Sequence, residues 1–568
     1  MRMIRFPYAA FLAVAPGLAC LPAAAKEPVI AQHGMVVAQE PLATDVGVSV
    51  LKAGGNAIDA AVAVGFALAV THPVAGNIGG GGFILVRLAT GEVHFLDFRE
   101  AAPQRAARNM YLGPDGNPTK DSLIGWRASG VPGSVKGFEV ASRKWGSKKW
   151  DTLLAPAIAL ARDGFVVDKT FALELADERS GLTKDPESRR VFLRDGNPYK
   201  EGETFKQPDL GSTLERIGQG GSKEFYEGET ARKLARAMDT HGGLISLGDL
   251  KSYRVIERTP LEGDYHGYHI TTAPPPSGGG VGILQMLGLL TGTDYASDGP
   301  DSPKAVHYMA EAMRRFYADR SEYLGDPDYY DVPVHELLSS AYVAERRKSI
   351  APDRATPSTE VEPGRIHAQA AKASQSESSE TTHFNVVDAQ GNAVAVTYTL
   401  NGGFGSGVTV PGLGFLLNNE MDDFAAKPGA PNMFGLIGGE ANSIQPGKRP
   451  LSSMNPTIVT RGGKLFMIVG APGGSRITTG VMQVMLDVLD FGMNPQDAVD
   501  LPRFHNQWKP DTLYLQKGFN EGSKQALERM GYKTQATERV ARVEAIVVKG
   551  GLLEGGTESR LNGKVSGY

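Results

Sequence analysis

Thirty consecutive positions, Ala351 to Glu380, hold no Leu, Phe, Tyr, Trp or Met, and strand-forming sequence starts directly after them at Thr381. A tract so poor in large apolar side chains buries too little surface to offset the entropy of ordering it, so the sequence predicts an exposed, mobile connection. The fold must therefore tolerate an interruption ending at Glu380 and open a sheet at Thr381. From there two β-prone runs, Thr381 to Val387 and Ala393 to Leu400, flank the turn residues Asp388 to Asn392, which is the pattern of a β-hairpin. With Gln390 at its centre, Thr381 falls opposite Thr399, with about 5 Å between Cβ atoms. Asn401, two positions on, shares the face of Thr399 and adds an amide at the same edge.

Two facing hydroxyls at a strand end suit nucleophilic chemistry. A threonine hydroxyl attacks poorly unless a base takes its proton, and a threonine that begins a chain carries that base in its own α-amine. Such an amine has a pKa near ~7.7–8.0, so much of it is unprotonated at neutral pH. A break between Glu380 and Thr381 would create this terminus. The Thr381–Thr399 pair alone also fits an ordinary strand.

The remainder of the chain narrows the classes. Met1 to Ala25 reads as an export signal, with Arg2 and Arg5 before an apolar stretch from Phe6 to Leu21 and small residues Ala23, Ala24 and Ala25 before the cleavage point. Pro7 and Pro16 argue against an ordinary buried helix there, and Gly17 speaks against a lipid anchor at Cys20. A periplasmic or secreted location is expected. Cys20 is the single cysteine of 568 residues, so the exported chain would form no disulfide and no Cys-metal site. Without Arg2 and Arg5, 57 basic residues face 63 acidic ones, and no long basic run is present, which disfavours nucleic acid as a partner. The longest apolar run beyond the signal, Ala60 to Val70, falls short of the ~20 residues that span a bilayer and reads as a buried helix. Helical patterns at Ala43–Lys52, Ile58–Val70, Trp150–Arg162 and Ala305–Tyr317 interleave with strand patterns at Gly82–Leu88, Phe384–Val387 and Leu465–Val469. No linker divides them, so one large α/β unit is expected.

Five separate motifs then resemble the γ-glutamyltransferase family, in the family's order, over a span from about Gly34 to the C-terminus. They are Phe98-Arg99-Glu100, Thr381-Thr382-His383, Asn418-Asn419-Glu420-Met421-Asp422-Asp423-Phe424, Pro446 to Met454, and Pro472-Gly473-Gly474-Ser475-Arg476. The resemblance implies an N-terminal nucleophile hydrolase fold, a four-layered αββα sandwich. It implies a precursor cut between Glu380 and Thr381 into a large subunit, residues 26–380, and a small subunit, residues 381–568, that pair as a heterodimer.

It also implies the site. Thr381 would be the nucleophile, Thr399 would orient it, and backbone N–H groups of Gly473 and Gly474 would form an oxyanion hole. A γ-glutamyl group carries a free α-carboxylate and a free α-ammonium. Arg99, with its planar fork, suits the carboxylate, joined by Ser452 and Ser453, while Glu420 and Asp423 would receive the ammonium and Asn401 would add a contact. The segment Pro428 to Gly439 resembles the lid of some members, with Phe434 where a tyrosine is often found, so aromatic cover is expected without a hydroxyl contact to Asn401. Donors would be glutathione and other γ-glutamyl compounds, and acceptors water, amino acids or peptides. No metal or organic cofactor is implied.

Other motifs carry less. Gly76 to Gly82 is glycine-rich, but it follows a helix pattern and precedes a strand pattern, the reverse of a dinucleotide or phosphate loop. His266 and His269 have metal-like spacing without a His-Glu-x-x-His context, and no Gly-x-Ser-x-Gly elbow is present. Two rival readings remain: a glutaryl-type β-lactam acylase of the same fold, whose substrate lacks the ammonium, and a non-catalytic exported amino-acid binding protein.

Overall fold

The structure, a computed structural model, describes residues 26–366 and 381–568. The export-signal reading of 1–25 and Glu380 of the expected cleavage site lie outside them. Two seven-stranded sheets form the centre. In the sheet that holds the hairpin, the order is Lys564–Gly567, Met35–Ala38, Thr382–Val387, Ala393–Thr399, Gly81–Arg87, Val93–Phe98 and Ile256–Arg258. The second sheet runs Val29–Ala31, Leu552–Thr557, Glu544–Lys549, Lys464–Gly470, Thr457–Arg461, Tyr268–Thr272 and Leu261–Tyr265. Every pairing within these two sheets is antiparallel.

Strand periodicity sorts the side chains into layers. Val36, Ala38, Ile84, Val86, Phe384, Val386, Val394, Val396 and Tyr398 face outward into a core with the helices Pro41–Lys52, Ala57–Thr71 and Ser134–Trp145. Their alternates Met35, Val37, Phe83, Leu85, Ala393 and Ala395 turn inward and share a core with Ile270, Ile458 and Met467 of the second sheet. That core continues into the helices Gly279–Leu290, Pro303–Tyr323 and Arg476–Leu489. Helix, sheet, sheet, helix is the αββα sandwich. The apolar run Ala60–Val70 lies inside the fully buried helix Ala57–Thr71, begun by a capping box of Asn56 and Asp59, a cap worth about 1 kcal/mol. Among the described residues no helix is long and apolar enough to cross a membrane.

The hairpin forms in the expected register: Thr382 pairs with Tyr398 and Val387 with Ala393, so the turn centres on Gln390. Asp388 closes the turn, its Oδ1 accepting from the N–H of Gln390 at 3.0 Å and of Asn392 at 2.9 Å, while Oδ2 accepts from the N–H of Ala57 at 2.8 Å. One carboxylate thereby fixes the hairpin to the start of the buried helix.

The expectation of an exposed tract holds in part: eight of the sixteen described residues, 351–366, are exposed, while three are anchored. Ser358, Val361 and Gly364 are buried. Trp508 donates its indole N–H to the carbonyls of Ser358 and Val361 at 3.0 and 2.8 Å, Arg314 reaches Ser358 Oγ at 2.6 Å, and Gly364 N–H meets Asp319 Oδ1 at 2.8 Å. The tract brings few large side chains of its own, yet its backbone is satisfied by large residues from elsewhere. Composition counts only what a segment contributes, and here the partners contribute.

Candidate active site

At the open end of the hairpin Thr381 is 5% exposed, and its hydroxyl donates to Thr399 Oγ1 at 3.3 Å. Asn401 N–H donates to the same Thr399 oxygen at 2.7 Å, and the Asn401 side-chain amide donates to the Asn419 carbonyl at 3.1 Å. Asn401 holds φ at +78°, a conformation that asparagine tolerates better than most residues and that turns the chain away from the sheet at this point. Strand Gly81–Arg87 lies beside Ala393–Thr399, and a Cβ on Gly80 would stand 2.0 Å from the Thr399 carbonyl. The glycine-rich run is thus a close-packing device beneath Thr399, in agreement with its rejection as a phosphate loop.

Thr381, Thr399 and Asn401 line one cavity together with Arg99, Asp423, Ser452, Ser453 and Gly474. Arg99 follows the strand Val93–Phe98 and is held by its N–H to Asp97 Oδ1 at 2.9 Å and by Tyr253 Oη donating to its carbonyl at 2.9 Å. Its guanidinium does not stand empty. It pairs with Asp423, approaches Glu420 Oε2 to 2.5 Å, and lies 3.4 Å from Glu100. The residues expected to divide the substrate's two charges between them meet one another instead.

That wall is electrostatically loaded. Burial opposes the charge on Arg99, but Glu420, Asp423 and Glu100 outweigh it and hold the guanidinium above its ordinary pKa. Burial pushes Glu100 up to about 7 and Glu420 well above the carboxylate range, in both cases against the pull of Arg99. Glu420 is paired with Arg99 through Oε2 and hydrogen-bonds the neighbouring Asp423 carboxyl, so the guanidinium and these carboxyls form one buried cluster. Asn418 sets its position: Asn418 Oδ1 accepts the Glu420 N–H at 3.1 Å, while Nδ2 donates to the carbonyls of Gly79 and Gly130.

Ser452 is fixed through its backbone, its N–H donating to the Pro276 carbonyl at 2.8 Å and its carbonyl accepting from Gly278 N–H at 2.7 Å. Ser453 Oγ accepts from Arg320 Nη2 at 3.3 Å. Arg320 is a lining residue that sequence reasoning missed. Its helix was expected to end at Tyr317 and runs to Tyr323, because the last turns are charged yet buried and show no apolar stripe. The only signal was the run Asp319-Arg320-Ser321-Glu322, which continues the charged positions Glu311, Arg314 and Arg315 of the same helix. An arginine can only donate, so Ser453 Oγ must accept from it, which leaves the serine hydrogen available to an anion in the cavity.

Gly473 and Gly474 take φ of +136° and +56°, and a Cβ on Gly473 would stand 2.8 Å from Ala541 Cα, so the turn needs glycine. Among the described residues no turn or cap hydrogen bond engages either N–H. The lid segment folds over the cavity, with Phe434 and Leu436 lining it. Asn432 Nδ2 donates to Asp423 Oδ1 at 3.1 Å and Met433 N–H to Asp422 Oδ2 at 2.7 Å, so the lid is fastened to the acidic turn. Phe434 supplies cover without a hydroxyl. His266 and His269 diverge to separate partners, Asp490 and Asp264, at 2.8 Å each, and no group of three metal-ligating side chains occurs among the described residues.

The model of the family described as Gamma-glutamyltranspeptidase matches residues 43–568. The chain belongs to the γ-glutamyltranspeptidase family. A glutathione hydrolase proenzyme of Escherichia coli (strain K12) is 48% identical over 523 residues, covering 92% of this chain and 89% of that protein. Among solved structures, a cephalosporin acylase from Bacillus halodurans superimposes with a TM-score of 0.85 at 30% identity, over 98% of this chain and 99% of that one. Helicobacter pylori gamma-glutamyltranspeptidase gives 0.58 at 43% identity, over 62% of this chain and 100% of that one. This γ-glutamyltranspeptidase family member is therefore an enzyme of the N-terminal nucleophile hydrolase type.

Proposed function

We propose that the chain is an exported γ-glutamyltransferase and glutathione hydrolase that cuts itself between Glu380 and Thr381 and works through the threonine so exposed. The signal would be 1–25, the large subunit 26–380 and the small subunit 381–568. The observation that carries the reading is the cavity itself, where the Thr381 hydroxyl shares one space with Arg99 and Asp423, while Glu420 pairs with Arg99 behind the cavity wall. The matched share of the chain on the H. pylori protein is about that of residues 26–380, which fits a division there.

Charge balance explains why the ligand is a zwitterion. A γ-glutamyl group entering this space exchanges partners with the wall: its α-carboxylate takes Arg99, Ser452 and Ser453, and its α-ammonium takes Glu420 and Asp423, so no buried charge is left single. A glutaryl group would take Arg99 and leave two carboxylates unpaired, which disfavours the acylase reading. A binding protein would have no use for the facing hydroxyls of Thr381 and Thr399.

In the reaction, Thr381 Oγ adds to the γ-carbonyl carbon while its α-amine takes the hydroxyl proton. The Gly473 and Gly474 N–H groups stabilise the oxyanion, and Thr399 orients the attacking oxygen. The C–N bond breaks, the α-amine passes the proton to the leaving nitrogen, and a γ-glutamyl ester remains. Water releases glutamate, or an amine forms a new γ-glutamyl amide. Mass spectrometry of purified protein should find two fragments, the smaller beginning at Thr381, and Thr381→Ala should remain one chain with turnover lost by at least ~10³-fold. Active wild-type protein recovered as one unbroken chain would defeat the proposal.

A further inference from the structure

One buried side chain, Gln507, bonds both to the lid and to the residue that follows the Gly473–Gly474 turn. It comes directly after His505-Asn506 at the end of the short strand Phe504–His505 and is 3% exposed. Its Nε2 donates to the carbonyl of Phe434, the lid residue that covers the cavity, at 3.3 Å, and to the carbonyl of Lys509 at 3.4 Å. Its Oε1 accepts from Ser475 Oγ at 3.0 Å and from His505 Nε2 at 2.9 Å. Only one orientation of the amide satisfies all four contacts, because turning it over would set its oxygen against two carbonyl oxygens.

The neighbours lock that orientation. Burial, and then the charge of Arg476, pushes His505 down to about 3, so the ring is neutral. Since Gln507 Oε1 can only accept, the ring proton sits on Nε2, and Nδ1 is left to accept from Thr479 Oγ1 at 2.9 Å, which roots the ring in helix Arg476–Leu489. Tyr317 packs edge-on against the His505 ring at 5.6 Å and donates its hydroxyl to the Ser475 carbonyl. Ser475 stands directly before the helix, a place where serine commonly caps, yet its side chain makes no cap bond. Its hydroxyl goes to Gln507 instead, so the turn that precedes it is set from behind, through both the side chain and the carbonyl of Ser475.

The lid's bonds from Asn432 and Met433 reach the acidic turn, whereas the bond from Phe434 reaches the amide that also holds Ser475. We propose that Gln507 is a positioning residue that couples closure of the lid over the γ-glutamyl group to the setting of the oxyanion turn. This rests on the γ-glutamyl reading of the cavity. A lid lifted away takes the Phe434 carbonyl with it, the nitrogen end of the amide keeps only Lys509, and the Ser475 contact at the oxygen end loosens in step. The oxyanion turn is then fully set only when the substrate is covered.

A double-mutant cycle tests this, with a chromogenic γ-glutamyl anilide as donor and L-glutamate as the binding probe. Gln507→Glu keeps the oxygen that faces Ser475 and His505 and turns a second oxygen against the Phe434 and Lys509 carbonyls. Glutamate affinity and kcat should each fall about tenfold, the value of one buried hydrogen bond. Ser475→Ala cuts the other end: kcat should fall about tenfold with glutamate affinity within about twofold of wild type. In the double variant kcat should be no lower than in Ser475→Ala alone, because the route from lid to turn is already cut. Gln507→Met, of similar length and without charge, takes the same place in the cycle where Gln507→Glu fails to mature. Losses in kcat that multiply, or a wild-type kcat in Ser475→Ala, overturn the coupling. A wild type unable to cleave the anilide overturns the γ-glutamyl reading instead.

Discussion

The hairpin end and the acidic wall of the cavity lie side by side, yet the first is neutral and complete while the second carries more carboxyl groups than its cation can balance. Thr381, Thr399 and Asn401 are bonded to one another, whereas the single guanidinium of Arg99 faces Glu100, Glu420 and Asp423. Groups that must hold a reacting oxygen in place gain from complete hydrogen bonding before substrate arrives. Groups that must select a ligand gain from lacking a partner that only the right ligand supplies. The contrast teaches that damage to the two regions should separate into rate and recognition.

The sharpest way to break that division is Thr399→Val, which keeps the shape and removes the hydroxyl. Turnover should fall by about 10³-fold with KM little changed, because only the orientation of Thr381 is lost. A rise in KM of the same size would place Thr399 in recognition. Arg99→Lys keeps the charge and loses the fork, and kcat/KM should drop roughly 10²–10³-fold, equivalent to ~3–4 kcal/mol. Processing into two fragments should survive it, as intact mass would show.

A finer test is Asp423→Asn, assayed on a γ-glutamyl and a glutaryl amide of the same amine. The preference for glutamyl should fall about ten- to a hundredfold, the value of one hydrogen bond to a charged group. An unchanged ratio would take Asp423 off the ammonium. The smallest effect should be that of pH on glutamate binding, measured by calorimetry. Glu100, pushed by burial to about 7, is protonated below that pH and ionised above it, and burial raises Glu420 as well. A ligand that needs them ionised competes with protons, so affinity is full at higher pH and should weaken about tenfold from pH 8 to pH 6. Glu420→Gln should flatten that slope.

Much of the hairpin region was legible in the sequence because its information is local. The turn at Asp388–Asn392 and two alternating runs determine the register, and the register alone brings Thr381 to Thr399. The charged wall was legible only as separate motifs, since Arg99 lies more than three hundred positions before Glu420 and Ser453. That they would first pair with one another could not be read from any of them. Arg320 stayed hidden because buried charge at the end of a helix resembles a solvated face in sequence. The tract after Ala351 is exposed at half of its described positions, as its composition implies, and what the sequence did not show is its anchoring by Trp508 and Arg314, which no local window contains.

The strand order carries a final consequence. In the hairpin sheet, strands from before and after position 380 alternate: Lys564–Gly567, then Met35–Ala38, then the hairpin, then Gly81–Arg87. The second sheet interleaves in the same way, with Val29–Ala31 beside Leu552–Thr557 and Tyr268–Thr272 beside Thr457–Arg461. Scission before Thr381 would thus create a new amino end and a new carboxyl end and leave the two polypeptides laced through each other's ladders. Pulling them apart would mean unzipping both sheets, so the cut makes a chain end without making a separable subunit.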